Sequence, residues 1–133
     1  MSSLNAFLHP EQVGNKEVIV SDRFKENGKP VPFVIKPVTQ QENDALLRKC
    51  KKKDKKGDEY FDKVSYNLAF VTAAVVAPDL ENAELQAAYG ALGAEKTLSA
   101  MLYAGEFTTL MQEIEELSGL DKDVNDDVEE AKN

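Results

Sequence analysis

Residues Pro78 to Leu120 read PDLENAELQAAYGALGAEKTLSAMLYAGEFTTLMQEIEELSGL, three short helical segments held between glycine stops. In the last, Glu106 to Ser118, the residues Phe107, Leu110, Met111, Ile114 and Leu117 recur at intervals of three and four and share one face. Such a face must be covered, and whether this chain alone supplies the cover bears directly on function.

Moving back along the chain, the spacing predicts a helix over 94–103 with Leu98, Met101 and Leu102 inward, stopped by Gly105. Another runs to Tyr89, capped by Asn82 or Asp79 and stopped by Gly90. Before Pro78, the residues Tyr60, Phe61, Val64, Leu68, Val71 and Val75 predict a central helix over 59–77, about 27 Å long, capped by Asp58. Thr39-Gln40-Gln41-Glu42 has the form of a capping box, so a further helix starts at Gln40 and dissolves into the lysines of 51–56 before Gly57. Over 17–38 the period is two. With Asn27-Gly28 as a type I′ turn, Val20 pairs with Ile35 and Phe24 with Val31; Val18, Val20, Phe24, Val31, Phe33 and Ile35 then share a face. The prolines at 30, 32 and 37 cannot donate to a ladder and imply an edge strand.

The expected fold is therefore α+β and mainly α: an N-terminal β-hairpin packed on a bundle of about five helices. Three parts are expected, a flexible arm over 1–16, a single α+β domain over 17–120 and a disordered acidic tail over 121–133. The tail holds six acids and two lysines with only Val124, Val128 and Ala131 as apolar residues. The length of 133 residues suits one core, with roughly two-thirds of the extended-chain surface buried on folding.

Composition limits the chemistry. No apolar run approaches the roughly 20 residues of a membrane span, and the start lacks the pattern of a signal peptide, so a cytoplasmic location is expected. A single cysteine, Cys50, excludes an internal disulfide and reads as a small core residue. The one histidine, His9, has no cysteine or carboxylate cluster near it in sequence, and no glycine-rich phosphate loop is present. Glutamates 113, 115 and 116 fall on the solvent side of the last helix, and the tail acids lack the Gly and terminal Glu spacing of a calcium loop. No catalytic, cofactor or metal residues are expected.

Charge is uneven: residues 48–57 carry seven bases and one acid, residues 58–120 eleven acids and two bases. An acidic body argues against general nucleic-acid binding. The lysine run Lys51 to Lys56, without aromatic interleaving in sequence, reads first as a mobile solvated loop and second as a surface for a protein or nucleic acid. The remaining candidate is an apolar surface around the Ala104-Gly105 break: Met101, Tyr103, Phe107, Leu110 and Met111. Spacing favours core for these residues and leaves a binding groove open.

The stretches Val18 to Phe24 (VIVSDRF), Asn27 to Phe33 (NGKPVPF), Pro78-Asp79-Leu80, Leu85-Gln86, Tyr89-Gly90, Leu102 to Phe107 (LYAGEF) and Leu117-Ser118-Gly119 carry a resemblance over nearly all of residues 4–120. The chain resembles the XkdN-like tail assembly chaperones of tailed phages and PBSX-type prophages. The resemblance implies a non-enzymatic role in the host cytoplasm: binding the long helical tape-measure protein during tail assembly, without a place in the finished virion. It also implies a longer frameshifted product, for which Lys132-Asn133 could be encoded by a slippery AAA AAC. The alternative is a small structural or regulatory module that binds protein or nucleic acid through Lys51 to Lys56.

Overall fold

The computed structural model describes residues 3–120. The expected tail over 121–133 lies outside them. In chain order the elements are α1 (Leu4–Leu8), β1 (Lys16–Val18), β2 (Lys25–Glu26), β3 (Lys29–Pro30), β4 (Phe33–Ile35), α2 (Gln40–Lys49), β5 (Lys51–Lys53), β6 (Glu59–Phe61), α3 (Lys63–Ala74), β7 (Val75–Ala77), α4 (Ala83–Ala88), α5 (Ala94–Met101) and α6 (Ala104–Leu117). The described residues thus form six helices and three small sheets. This corrects the expectation of one hairpin laid on about five helices.

The first correction concerns register. Asn27 and Gly28 take φ of 53° and 77°, as a type I′ turn needs, and the Val31 N–H donates to the Phe24 carbonyl at 2.7 Å. The ladder then breaks. Val18 pairs with Phe33 and Lys16 with Ile35, so Val20 does not reach Ile35 and the first strand carries four extra residues in a loop. Pro32 has no N–H to continue the ladder, while the Ser21 hydroxyl accepts from the Arg23 N–H at 3.1 Å and turns the chain outward. The shared face nevertheless survives. Val18, Phe33 and Ile35 are buried, Val20 and Phe24 pack on the core, and only Val31 faces solvent.

The second correction concerns the central helix. It begins at Lys63, because Asp62 caps it by accepting from the Ser65 N–H at 3.0 Å, and it ends at Ala74. Twelve residues make a rod of about 18 Å rather than about 27 Å. The β-branched pair Val75-Val76, with Pro78 restricting Ala77, favours extended backbone. Val75–Ala77 becomes the third strand of the main sheet, in order β1-β4-β7 and antiparallel to β4. At the other end Glu59–Phe61 pairs with Lys51–Lys53 as a second hairpin, so the first half of the lysine run is a strand and the rest its turn.

Local signals set the remaining boundaries. Thr39 and Glu42 form the expected capping box of α2, and Asn82 caps α4 through the Leu85 N–H at 2.9 Å. Gly119, at φ 79°, closes α6 in a Schellman pattern, with the Leu120 N–H on the Glu115 carbonyl and its own on that of Glu116. Helix α3 packs on both α5 and α6, and β1 lies beside α6. Their apolar faces and the sheet share one core, in which Ile35, Phe70, Val71, Leu98, Leu110 and Ile114 are at most 1% exposed.

The joint between α5 and α6 lies at Leu102-Tyr103, both extended, rather than at Gly105, which sits inside the first turn of α6. Arg23, from the extra loop of the first strand, holds this joint. Its Nε and Nη2 donate to the two carboxylate oxygens of Glu106 at 2.9 and 2.6 Å, and Nη2 also donates to the Met101 carbonyl at 2.9 Å. The guanidinium lies 4.3 Å from the Tyr103 ring centroid and 4.8 Å from that of Phe24. Glu106 reaches back to the Tyr103 N–H at 2.7 Å. The Arg23 guanidinium, with the Ser21 hydroxyl and the Tyr103 N–H, lowers the Glu106 carboxyl to about 2.

Two measurements check this architecture. Ile114→Ala should lower unfolding stability in urea by about 2–5 kcal/mol, against about 0.5–2 kcal/mol for Thr39→Ala at the cap. Because the folded-state value of Glu106 lies below its unfolded one, its contribution is present above the unfolded value and is lost as pH falls toward about 2. The urea midpoints of the native chain and of Glu106→Gln should therefore differ most near neutral pH and converge on acidification. A constant gap would show that Glu106 does not act through its charge.

Candidate functional site

An apolar opening lies where α3, α5 and α6 meet. It is a groove of about 380 Å³ lined by Val64, Asn67 and Leu68 of α3, Ser99 of α5, Leu102 of the joint, and Ala104, Phe107 and Thr108 of α6. The Thr108 hydroxyl donates to the Ala104 carbonyl at 3.0 Å, which satisfies its own donor within the helix. Asn67 and Ser99 supply polar edges. Val64, 81% exposed, lies in solvent at the rim. Aliphatic and aromatic side chains of α3, α6 and Leu102 make a seat for apolar side chains, the form in which a groove accepts a helix.

The five residues expected to form one surface are divided. Phe107 lines the groove and is partly buried. Tyr103 is exposed and carries Arg23 on its ring. Met111 is partly buried against the core. Leu110 is in the core at 0% exposure. Met101, also buried, faces a separate apolar cavity of about 260 Å³ with Phe24, Phe33, Pro78, Leu85 and Tyr89. Val64, Leu68 and Leu102 were not among the expected residues. Val64 stood in the sequence as one more apolar position of a helix starting at 59; in the first turn of α3 it opens to solvent instead.

The lysine hairpin differs from its sequence reading in one respect. Pairing sets Lys51 opposite Phe61 and Lys52 opposite Tyr60, with both rings about half exposed, so aromatic and basic side chains alternate through space although not along the chain. Asp54 organises the turn by accepting from the N–H groups of Lys56 and Asp58, both at 2.9 Å. Lys52 donates to Asp62 at 2.7 Å and, together with the Ser65 N–H and hydroxyl, holds that carboxyl well below the usual carboxylate range. Lys52 is thereby tied to the cap of α3.

Among the described residues no group of three or more His, Cys, Asp and Glu side chains could hold a metal ion. No helix among them is long and apolar enough to cross a membrane. Cys50 is buried at the end of α2.

The phage-like element PBSX protein XkdN of Bacillus subtilis (strain 168) is 27% identical over 123 residues, which span 88% of this chain and 83% of that protein. The crystal structure of the protein YqbN superposes with a TM-score of 0.71 at 23% identity, covering 86% of this chain and 94% of that one, and so shares the fold. Residues 4–132 match the family model described as phage XkdN-like tail assembly chaperone protein. The chain therefore belongs to the XkdN-like family of phage tail assembly chaperones.

Proposed function

We propose that this chaperone binds the tape-measure protein of its phage through the groove between α3, α5 and α6. Family membership makes a phage structural protein the partner class and implies a role without catalysis. The observation that carries the finer reading is the groove itself, whose apolar wall comes from α3, α6 and Leu102 of the joint, with Ser99 of α5 at a polar edge. A long helical client presents an apolar stripe that water must not see until the tail tube covers it, and the groove takes the anchors of such a stripe. In this reading Phe107, Leu102 and Val64 touch the client, with Tyr103 and Met111 at the margins. Met101 and Leu110, both buried, support the surface from behind.

The lysine hairpin supports a second reading. With Tyr60 and Phe61 exposed beside Lys51 and Lys53, it offers cations and ring faces together, a combination that suits an acidic protein or a single-stranded nucleic acid.

Copurification with a tape-measure fragment separates the two. Val64→Asp, at a position so exposed that folding should change by no more than about 0.5 kcal/mol, should weaken capture at least tenfold, about 1.4 kcal/mol, as should Phe107→Asp in protein that still melts cooperatively. Replacing lysines 51, 52, 53, 55 and 56 with Ser should leave capture intact. Loss of capture in the lysine variant, with the Val64 variant unaffected, would move the site to the hairpin.

A further inference from the structure

The lysine hairpin gathers cations that the rest of the fold leaves unmatched. Residues 51–61 are exposed throughout. Lys52 is tied to Asp62 and Ser65, but among the described residues no carboxylate pairs with Lys51, Lys53, Lys55 or Lys56. The bases just before them are matched, Arg48 by Asp44 and Lys49 by Glu95. Acids within the hairpin do not close the gap: Asp54 accepts from two N–H groups of its own turn, and Glu59 stands opposite Lys53 alone. Lys51 and Lys53 share one face with Phe61, and a hollow of about 210 Å³ opens among Lys51, Glu59, Tyr60 and Phe61. Cations beside a small hollow walled by rings fit a chain in which acids flank short aliphatic residues.

We propose that residues 121–133, which lie outside the described residues, dock on the lysine hairpin of their own chain. Their sequence, DKDVNDDVEEAKN, holds six acids against two lysines. Val124 follows Asp123, and Val128 stands between Asp127 and Glu129. A valine on the rings of Tyr60 and Phe61 brings its acidic neighbours to Lys51, Lys53, Lys55 and Lys56. An acidic partner from outside must then displace the tail to reach this surface.

The end of α6 puts the start of this segment near its target. The Leu120 N–H donates to the Glu115 carbonyl at 2.8 Å, so the segment begins beside Glu115. Burial and, after it, the charge of Glu115 raise the phenol of Tyr66, and the Tyr66 ring lies 5.5 Å from that of Phe61. A second route gives the same scale. The Ser118 hydroxyl accepts from the Val38 N–H at 2.9 Å, and α2, which starts two residues later, runs about 15 Å toward the hairpin. Thirteen residues reach about 45 Å when extended, so the span is covered with chain to spare. Glu113, Glu115, Glu116 and the carbonyl end of α6 repel further acids from the helix itself. A tether this short holds the segment at an effective concentration of about 1 mM, where modest charge attraction suffices. The docking does not rest on the groove reading, and its test contains no client.

A nitroxide attached at Ala131→Cys in the full chain, with Cys50→Ala, tests this by NMR. At low salt the amide signals of residues 51–61 should broaden while those of residues 25–29, which carry Lys25 and Lys29 on the other hairpin, stay sharp. Salt near 1 M, where screening reaches about 3 Å, should abolish the broadening. Replacing lysines 51, 53, 55 and 56 with Ser should abolish it at Tyr60 and Phe61, as should Asp126→Asn, Asp127→Asn, Glu129→Gln and Glu130→Gln together, with the signals of Ile35 and Val71 in the core unmoved. Sharp hairpin signals at low salt, or broadening that survives either set of substitutions, would overturn the proposal. When the nitroxide chain is mixed with an isotope-labelled chain lacking the nitroxide, the labelled hairpin should stay sharp; broadening equal to that within one chain would overturn docking on the chain's own hairpin.

Discussion

One guanidinium connects the parts of this structure that sequence separation keeps apart. Arg23 leaves the sheet in a loop of extra residues, pairs with both oxygens of Glu106, takes the last free carbonyl of α5 at Met101 and lies on the ring of Tyr103. Each contact has its own geometric demand, and only a planar, forked cation meets them together. The angle at which α6 leaves α5 follows, and with it the width of the groove between α6 and α3. Glu106 is used twice, once for the cation and once for the N–H of Tyr103 at the start of its own helix. The joint is thus braced from the sheet side.

Features whose partners lie three or four residues apart were legible in the sequence. The Thr39–Glu42 box, the Asn82 cap, the Asn27-Gly28 turn and the Gly119 stop all stand where local chemistry puts them. Features decided by tertiary pairing were not. Lys51–Lys53 has poor strand propensity and becomes a strand because Glu59–Phe61 pairs with it; Val75–Ala77 leaves the helical pattern because β4 offers an open edge. The register beyond the turn fails because four extra residues swing out toward Arg23's partners, some eighty positions away. The candidate surface shows the same division. Phe107 could be found from helical spacing, whereas Val64 and Leu68 meet it only because α3 crosses α6, and spacing cannot distinguish Leu110, fully enclosed, from its neighbour at the rim.

The placement of polar and apolar surface is consistent with a chaperone. Residues 58–120 carry eleven acids against two bases, a like-charge excess that opposes aggregation, while the groove between α3 and α6 opens to solvent. Two separate cavities take Phe107 and Met101, which sequence places close together. The cavity against Pro78 and Tyr89 lies among the hairpin, β7 and α4, whereas the groove lies wholly between helices. That difference in construction is the reason to assign a helical client to the groove.

The central claim is that the surface bounded by α3 and α6 is where the client's apolar residues are received. The most direct measurement is the methyl NMR spectrum of the chain titrated with a tape-measure fragment, read residue by residue. The account predicts that perturbations concentrate on Val64, Leu68, Leu102 and the neighbours of Phe107, with Ile35 and Val71 in the core little changed. Perturbations confined to the lysine hairpin, or to Met101 and the cavity beside Pro78, with Val64 and Leu68 silent, would contradict it.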